Sequence, residues 1–222
     1  MSRHWPVRLT GETPTGVGLV LRPLRRRDKG ELLELRRQDA DWLRPWDPTT
    51  PPGGGPRQDA VSDFRAYRRG LEAAARSGST LPLLITSEGR IIGQISANTI
   101  VHGAFRSCSI GYWVASRMAG RWVAPTAVAM LGDHLLDPDG RALHRIQLDV
   151  RPENEASLRV VRKLGMRDEG RRAAYLHIDG DWREHLSFAL VAEDLGPGGL
   201  QMRVSRAYQQ SRARHTGGSA GP

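Results

Sequence analysis

The chain has 222 residues, enough for one domain with a substantial core and too few for two full ones. Its 39% hydrophobic content and six tryptophans exclude a disordered chain, and a single cysteine, Cys108, excludes an internal disulfide or a cysteine-cluster metal site. The net charge of +9, almost all of it arginine, favours an acidic partner such as RNA or a phosphorylated cofactor, while the lack of a long apolar run or a signal-peptide core in "MSRHWPVRLT" points to a reducing cytosol.

Residues 1–18 read as an N-terminal extension. "VGLVLRPL" (17–24) is the first strand, and the next segment is a helix with leucines at 32, 33, 35 and 43. Asp28 can cap that helix, since its carboxylate can accept from the free N–H groups of a first turn. The segment 44–59 is so dense in proline and glycine that a mobile loop is expected, and loops of this length in compact domains are often functional. Val61, Phe64, Tyr67 or Arg68, and Leu71 share one face of a second helix ending at Gly78. Three strands follow, "TLPLLITSEG", "RIIGQISANTIV" and "RSCSIGYWVA", whose short links make an antiparallel meander.

The stretch 112–131 passes from strand to helix through a turn holding Arg117, Gly120 and Arg121. Pro125 lacks an N–H, which costs little in a first helical turn, so the helix begins at about 121–124 and runs to about Leu136. A helix start exposes N–H groups and the positive end of its dipole, so the amides of Met118 to Trp122 can cradle an anion. A glycine turn of this kind is also a common connector that binds nothing. A strand at 144–152 leads to a helix at 154–165, with Asn154 as N-cap, Ser157 in the first turn and Gly165 closing it. Two strands surround Asp179-Gly180, a tight-turn pair. The tail from 196 to 222 holds four arginines and no acid; it is expected to be flexible, with at most a short basic helix carrying Leu200, Val204, Ala207 and Tyr208. This order describes a mixed α/β domain, mostly antiparallel, with a crossover helix permitting a parallel pair.

Arg117-Met118-Ala119-Gly120-Arg121 resembles the acetyl-CoA pyrophosphate signature of the GNAT N-acetyltransferases, Q/R-x-x-G-x-G/A, and "RPENEASLRVVRKLGMRDEG" resembles their N-x-x-S helix and the strand after it. "YLHIDGDWREHLSFAL" and "WLRPWDP" are similar to the ribosomal-protein alanine N-acetyltransferases of the RimJ/RimL type. The ordered co-occurrence of these motifs over residues 19–195 makes the resemblance specific. It implies a GNAT fold, an α/β domain whose mostly antiparallel sheet splays between the strands at 107–115 and 144–151, flanked by helices. It also implies acetyl-CoA as cosubstrate, with pantetheine paired to backbone near Val114 and pyrophosphate on Arg117, Met118, Ala119, Gly120, Arg121 and Trp122, beside Asn154. Trp122 departs from the signature's second small residue: either the indole turns away into the fold or cofactor binding is altered.

Transfer from an activated thioester needs no enzyme nucleophile, so Cys108 is expected in the core. The resemblance puts Ser157 near the CoA sulfur as acid, with Tyr175 as the other candidate. The base is open among Glu184, His185, Asp47 and a water; His177 and Asp179 are expected to be structural. An α-amine with a pKa of about 8 is already partly neutral at cellular pH, unlike a lysine at about 10.4. The expected function is therefore acetylation of a primary amine, a protein N-terminus, with a ribosomal protein as acceptor. A small-molecule amine acetyltransferase and a non-catalytic acyl-CoA- or ribosome-binding protein are the alternatives. No metal or membrane is expected, and nucleic acid only through the basic tail.

Overall fold

In the computed structural model, which describes residues 5–54 and 63–216, the apolar stretches become eight strands: β1 (Leu9–Glu12), β2 (Gly18–Arg22), β3 (Leu81–Ser87), β4 (Arg90–Val101), β5 (Ser107–Val114), β6 (Arg145–Val150), β7 (Arg167–Ile178) and β8 (Asp181–Val191). They form one sheet in the order β1-β2-β3-β4-β5-β6-β8-β7. Every pairing is antiparallel except β5 with β6. The meander at 81–114 and the hairpin at Asp179-Gly180 lie where the sequence puts them, and both turn residues have positive φ, as a primed turn requires.

The helices are α1 (Lys29–Gln38), α2 (Ala40–Leu43), α3 (Phe64–Ser77), α4 (Val123–Leu136), α5 (Glu155–Leu164) and α6 (Gly199–Thr216). Strand alternation divides the core: Leu84 and Ile91 pack with Leu32, Leu35 and Phe64, whereas Leu83 and Ile85 belong to the larger cluster with α4, α5 and α6. Both sheet faces are thus covered, which is why β3 is an unbroken apolar run rather than an alternating one. Cys108 lies in the larger core, and burial pushes its thiol up to about 12.

The parallel ladder between β5 and β6 is short. Ser107, Cys108 and Ser109 pair with Arg145, Ile146 and Gln147, after which β5 runs on to Val114 and β6 to Val150 without further pairing. That parting is the splay implied by the resemblance, and it creates the cleft described below.

Several expectations are corrected. Asp28 precedes α1 but does not cap it: its carboxylate accepts two hydrogen bonds from the Arg22 guanidinium, at 2.7 and 2.9 Å, and one from the Arg25 N–H at 2.7 Å. A bidentate charged partner competes better for a buried carboxylate than a helix amide does. The long loop is not wholly free, because residues 44–46 form a 3₁₀ turn and Pro48 bridges to Ile178; residues 55–62, including Val61, lie outside the described residues. Part of the N-terminal extension joins the sheet as β1. Within the expected flexible tail, 199–216 is helical, since Leu200 and Val204 bury themselves against α4 and α5 and so offset the entropy of ordering the chain; residues 217–222 lie outside the described residues.

Candidate active site

A cleft of about 970 Å³ opens where β5 and β6 part, lined by Tyr112, Gly120, Trp122, Ser157, Lys163 and His185 among others. On its α5 side the sequence determines the geometry directly. Asn154 Oδ1 accepts the Ser157 N–H at 3.0 Å, and this N-cap fixes Ser157 in the first turn. Across the split, the Tyr112 hydroxyl donates to Ser157 Oγ at 3.1 Å. Burial pushes Tyr112 up to about 12 against the pull of that hydrogen bond, so the phenol keeps its proton at neutral pH and the Ser157 proton remains available to another acceptor. Sequence reading missed Tyr112, because a strand tyrosine between Gly111 and Trp113 carries no local signal. Only the register of β5 beside β6, with α5 following, brings it to Ser157.

The glycine turn is less open than expected. Met118 N–H donates to Ala115 at 2.8 Å, Ala119 N–H to Ser116 at 3.0 Å and Arg121 N–H to Met118 at 3.4 Å. Gly120 and Trp122, with Val123 and Ala124 at the start of α4, keep N–H groups that make no hydrogen bond among the described residues, and Pro125 has none to satisfy. Gly120 has φ +76° and Trp122 φ +62°. The left-handed conformation of Trp122 explains why a small residue suits this position, since a side chain there costs roughly 1–2 kcal/mol. The indole is turned onto two helices: Lys163 Nζ sits 3.7 Å from its ring centroid, and the Tyr208 ring meets it edge-on at 5.4 Å. Arg117 bends back to donate to the Ile91 carbonyl at 3.1 Å, while Arg121 is exposed. Lys163, unassigned from sequence, is a cation at the cleft wall; burial, then neighbouring Arg159, lowers its pKa. Near Val114, where the resemblance implies that pantetheine pairs with backbone, the Val114 carbonyl accepts from Trp42 Nε1 at 3.1 Å.

Residues 46–50 also line the cleft. Asp47 pairs with Arg36 at 2.5 Å. Arg151 donates to the Pro45 carbonyl at 2.7 Å and lies 5.4 Å from the Trp46 ring. Thr49 donates its N–H to the His177 carbonyl at 2.9 Å, and its hydroxyl meets His177 Nδ1 at 2.7 Å. These bonds bind Asp47 and His177 into the wall. Glu184 pairs with Arg171 at 2.8 Å. Tyr175 does not join Ser157: its hydroxyl donates to Asp149 at 3.3 Å, and burial, then the Asp149 charge, raises its pKa. His185 is buried, and burial lowers its pKa. Its Nδ1–H donates to the Arg183 carbonyl at 3.0 Å, leaving Nε2 as the ring's acceptor. His185 is thus the one base candidate named from sequence that both lines the cleft and lies outside the ion pairs found among the described residues.

A family described as "Acetyltransferase (GNAT) domain" matches residues 18–167. The chain belongs to the GNAT acetyltransferase family. This acetyltransferase is 39% identical to Mycobacterium smegmatis RimJ, solved in complex with CoA-disulfide, over 92% of its own length and 96% of that chain, with a TM-score of 0.83. It is 28% identical over 186 residues to the [Ribosomal protein uS5]-alanine N-acetyltransferase of Escherichia coli, covering 81% of this chain and 91% of that one. A Probable N-acetyltransferase YjcK of Bacillus subtilis is 28% identical over 189 residues, 81% of this chain and 97% of the other. The acetyltransferase is therefore of the RimJ/RimL type and uses acetyl-CoA as cosubstrate to acetylate a primary amine. Its residues suit that cosubstrate: open amides and a lysine stand at one end of the split and a hydroxyl pair at its middle. Among the described residues there is no cluster of metal-ligating side chains and no helix long and apolar enough to cross a membrane.

Proposed function

We propose that this acetyltransferase acts in the cytoplasm on the α-amine of a protein N-terminus, that of a ribosomal protein. The observation that carries the reading is the presence in one cleft of the Tyr112–Ser157 hydroxyl pair, which bridges the split, and the neutral imidazole of His185. The name of the Escherichia coli relative supports the ribosomal acceptor. The basic exposed residues of α6, Arg206, Arg212 and Arg214, would aid docking to a ribosome-bound acceptor without reading nucleic-acid sequence.

Each residue then has a task. The amides of Gly120, Trp122, Val123 and Ala124, with Lys163 and Arg121, hold the pyrophosphate and orient the thioester in the split; Met118 and Ala119 shape that turn, and Asn154 fixes the helix that carries Ser157. Acetyl-CoA supplies an already activated acyl group. His185 Nε2 takes, directly or through a water, the proton that the acceptor's ammonium must lose before its nitrogen can attack. Ser157, with its oxygen already accepting from Tyr112, turns its own proton toward the departing sulfur. Tyr175 supports the wall through Asp149. An α-amine demands little from such a base, because a pKa of about 8 leaves it partly neutral before it binds.

Thiol release measured with alanine-starting peptides, the same peptides blocked at the N-terminus, and polyamines tests the reading. Turnover confined to free N-termini is expected. Preferential turnover of polyamines would replace it with a small-molecule acceptor.

A further inference from the structure

Trp122 occupies a conformation that a bulky residue leaves unless its surroundings hold it. The surroundings are unusual for a turn, because one of the two groups gripping the indole, Tyr208, comes from the C-terminal helix α6. α6 is itself firmly seated. Asp133, near the end of α4, accepts the Leu200 N–H at 2.6 Å and the Gln201 N–H at 3.2 Å, capping α6 from another helix. Leu200 packs so tightly on Gly132 that a Cβ there would come within 2.5 Å of its Cδ1. Arg203 donates to the Leu164 carbonyl at 3.1 Å and also to that of Asp194. From the Asp133 cap, α6 runs back along α4, so Tyr208 arrives at Trp122, where α4 starts.

We infer that α6 is part of the cofactor site: Tyr208, through its edge contact with Trp122, holds the turn from Gly120 to Ala124 in the conformation that leaves the N–H groups of Gly120, Trp122, Val123 and Ala124 free. Tyr208 is a positioning residue and touches no reacting atom. The inference rests on the reading that this turn receives the pyrophosphate. It makes α6 docking and acetyl-CoA binding mutually supporting: what stabilises one stabilises the other by the same factor. If loss of the ring contact lowers the binding-competent population to between a fifth and a tenth, apparent affinity falls about five- to tenfold. The rate at saturation is unchanged, because Ser157, Tyr112 and His185 lie outside the contact.

Calorimetric titration of the full chain with acetyl-CoA, paired with amide hydrogen exchange over 199–216, tests this. Tyr208→Ala is expected to weaken binding about five- to tenfold and to abolish the slowing of α6 exchange that acetyl-CoA causes in the wild type. Tyr208→Phe keeps the ring edge and restores both. Gly120→Val, which forces a β-branched side chain into φ +76°, reports on the turn alone. Lost binding in Gly120→Val with wild-type affinity in Tyr208→Ala overturns the role of α6 while leaving the turn as the site. Unchanged binding in both variants overturns the turn assignment and the role of α6 with it. A lowered melting temperature in Tyr208→Ala with unaltered affinity makes the contact merely structural and also overturns the inference.

Discussion

Removing the Tyr112 hydroxyl tests the site at the point the sequence did not reveal. In Tyr112→Phe the ring remains, so the perturbation is one hydrogen bond of 3.1 Å between neutral groups. Such a bond contributes about 1 kcal/mol, and its loss lets the Ser157 hydroxyl rotate away from the sulfur, so kcat should fall about fivefold. Ser157→Ala removes the proposed acid and should cost about a hundredfold, the low end for such groups, because a thiolate leaves readily. The two effects should not add. Once Ser157 is gone Tyr112 has nothing to orient, and Tyr112→Phe in the Ser157→Ala background should change kcat less than about twofold. The assay is single-turnover acetyl transfer to a peptide at saturating acetyl-CoA, between pH 7 and 9, where a phenol raised to about 12 stays protonated throughout. If Tyr112→Phe costs the same factor with and without Ser157, the hydroxyls act independently and the reasoning fails.

Three further outcomes follow from the same structure. Protonation of His185 should abolish its role as base, and because burial lowers its pKa, kcat should be flat at neutral pH and decline only below the ordinary histidine value of about 6.5; His185→Gln should lower kcat about a hundredfold and remove that acid limb. Asp28→Ala strands the buried Arg22 charge and should cost about 3–5 kcal/mol in urea unfolding. Burial works to raise the Asp28 carboxyl, but the hydrogen bonds from Arg22 and Arg25 outweigh it and hold it below the ordinary range, so its stabilisation is present above about pH 3.9 and is lost as pH falls through the depressed value; the wild type should therefore lose more stability on acidification than Asp28→Ala. Gly132→Val should lower stability by about 1–3 kcal/mol and increase proteolysis within 199–216, because its side chain enters the space of Leu200.

The fold was legible where local signals agree. The run 80–115 shows strands separated by short links, Asn154 and Gly165 punctuate α5, and Asp179-Gly180 marks the last hairpin. Ser157 was legible through its spacing from the cap. What escaped depends on contacts distant in sequence: Tyr112 meets Ser157 across 45 residues, and Trp42 takes the Val114 carbonyl across 72. The helical tail escaped for a different reason. Its glycines and arginines read as solvated chain, while the two residues that seat it, Leu200 and Val204, need α4 and α5 before they have anything to bury against. Asp28 was misread because the cap rule considers only the helix that follows, and its stronger partner, Arg22, comes before it.

The account's central claim is transfer of an acetyl group to a protein α-amine, and mass spectrometry of the product tests it most directly. A peptide that begins with alanine and also contains an internal lysine, incubated with this acetyltransferase and acetyl-CoA, should gain one acetyl group. Fragmentation should place it on the N-terminal nitrogen, with the lysine unmodified. Acetylation on the lysine, or none on the peptide while a polyamine in the same mixture is acetylated, would contradict the claim.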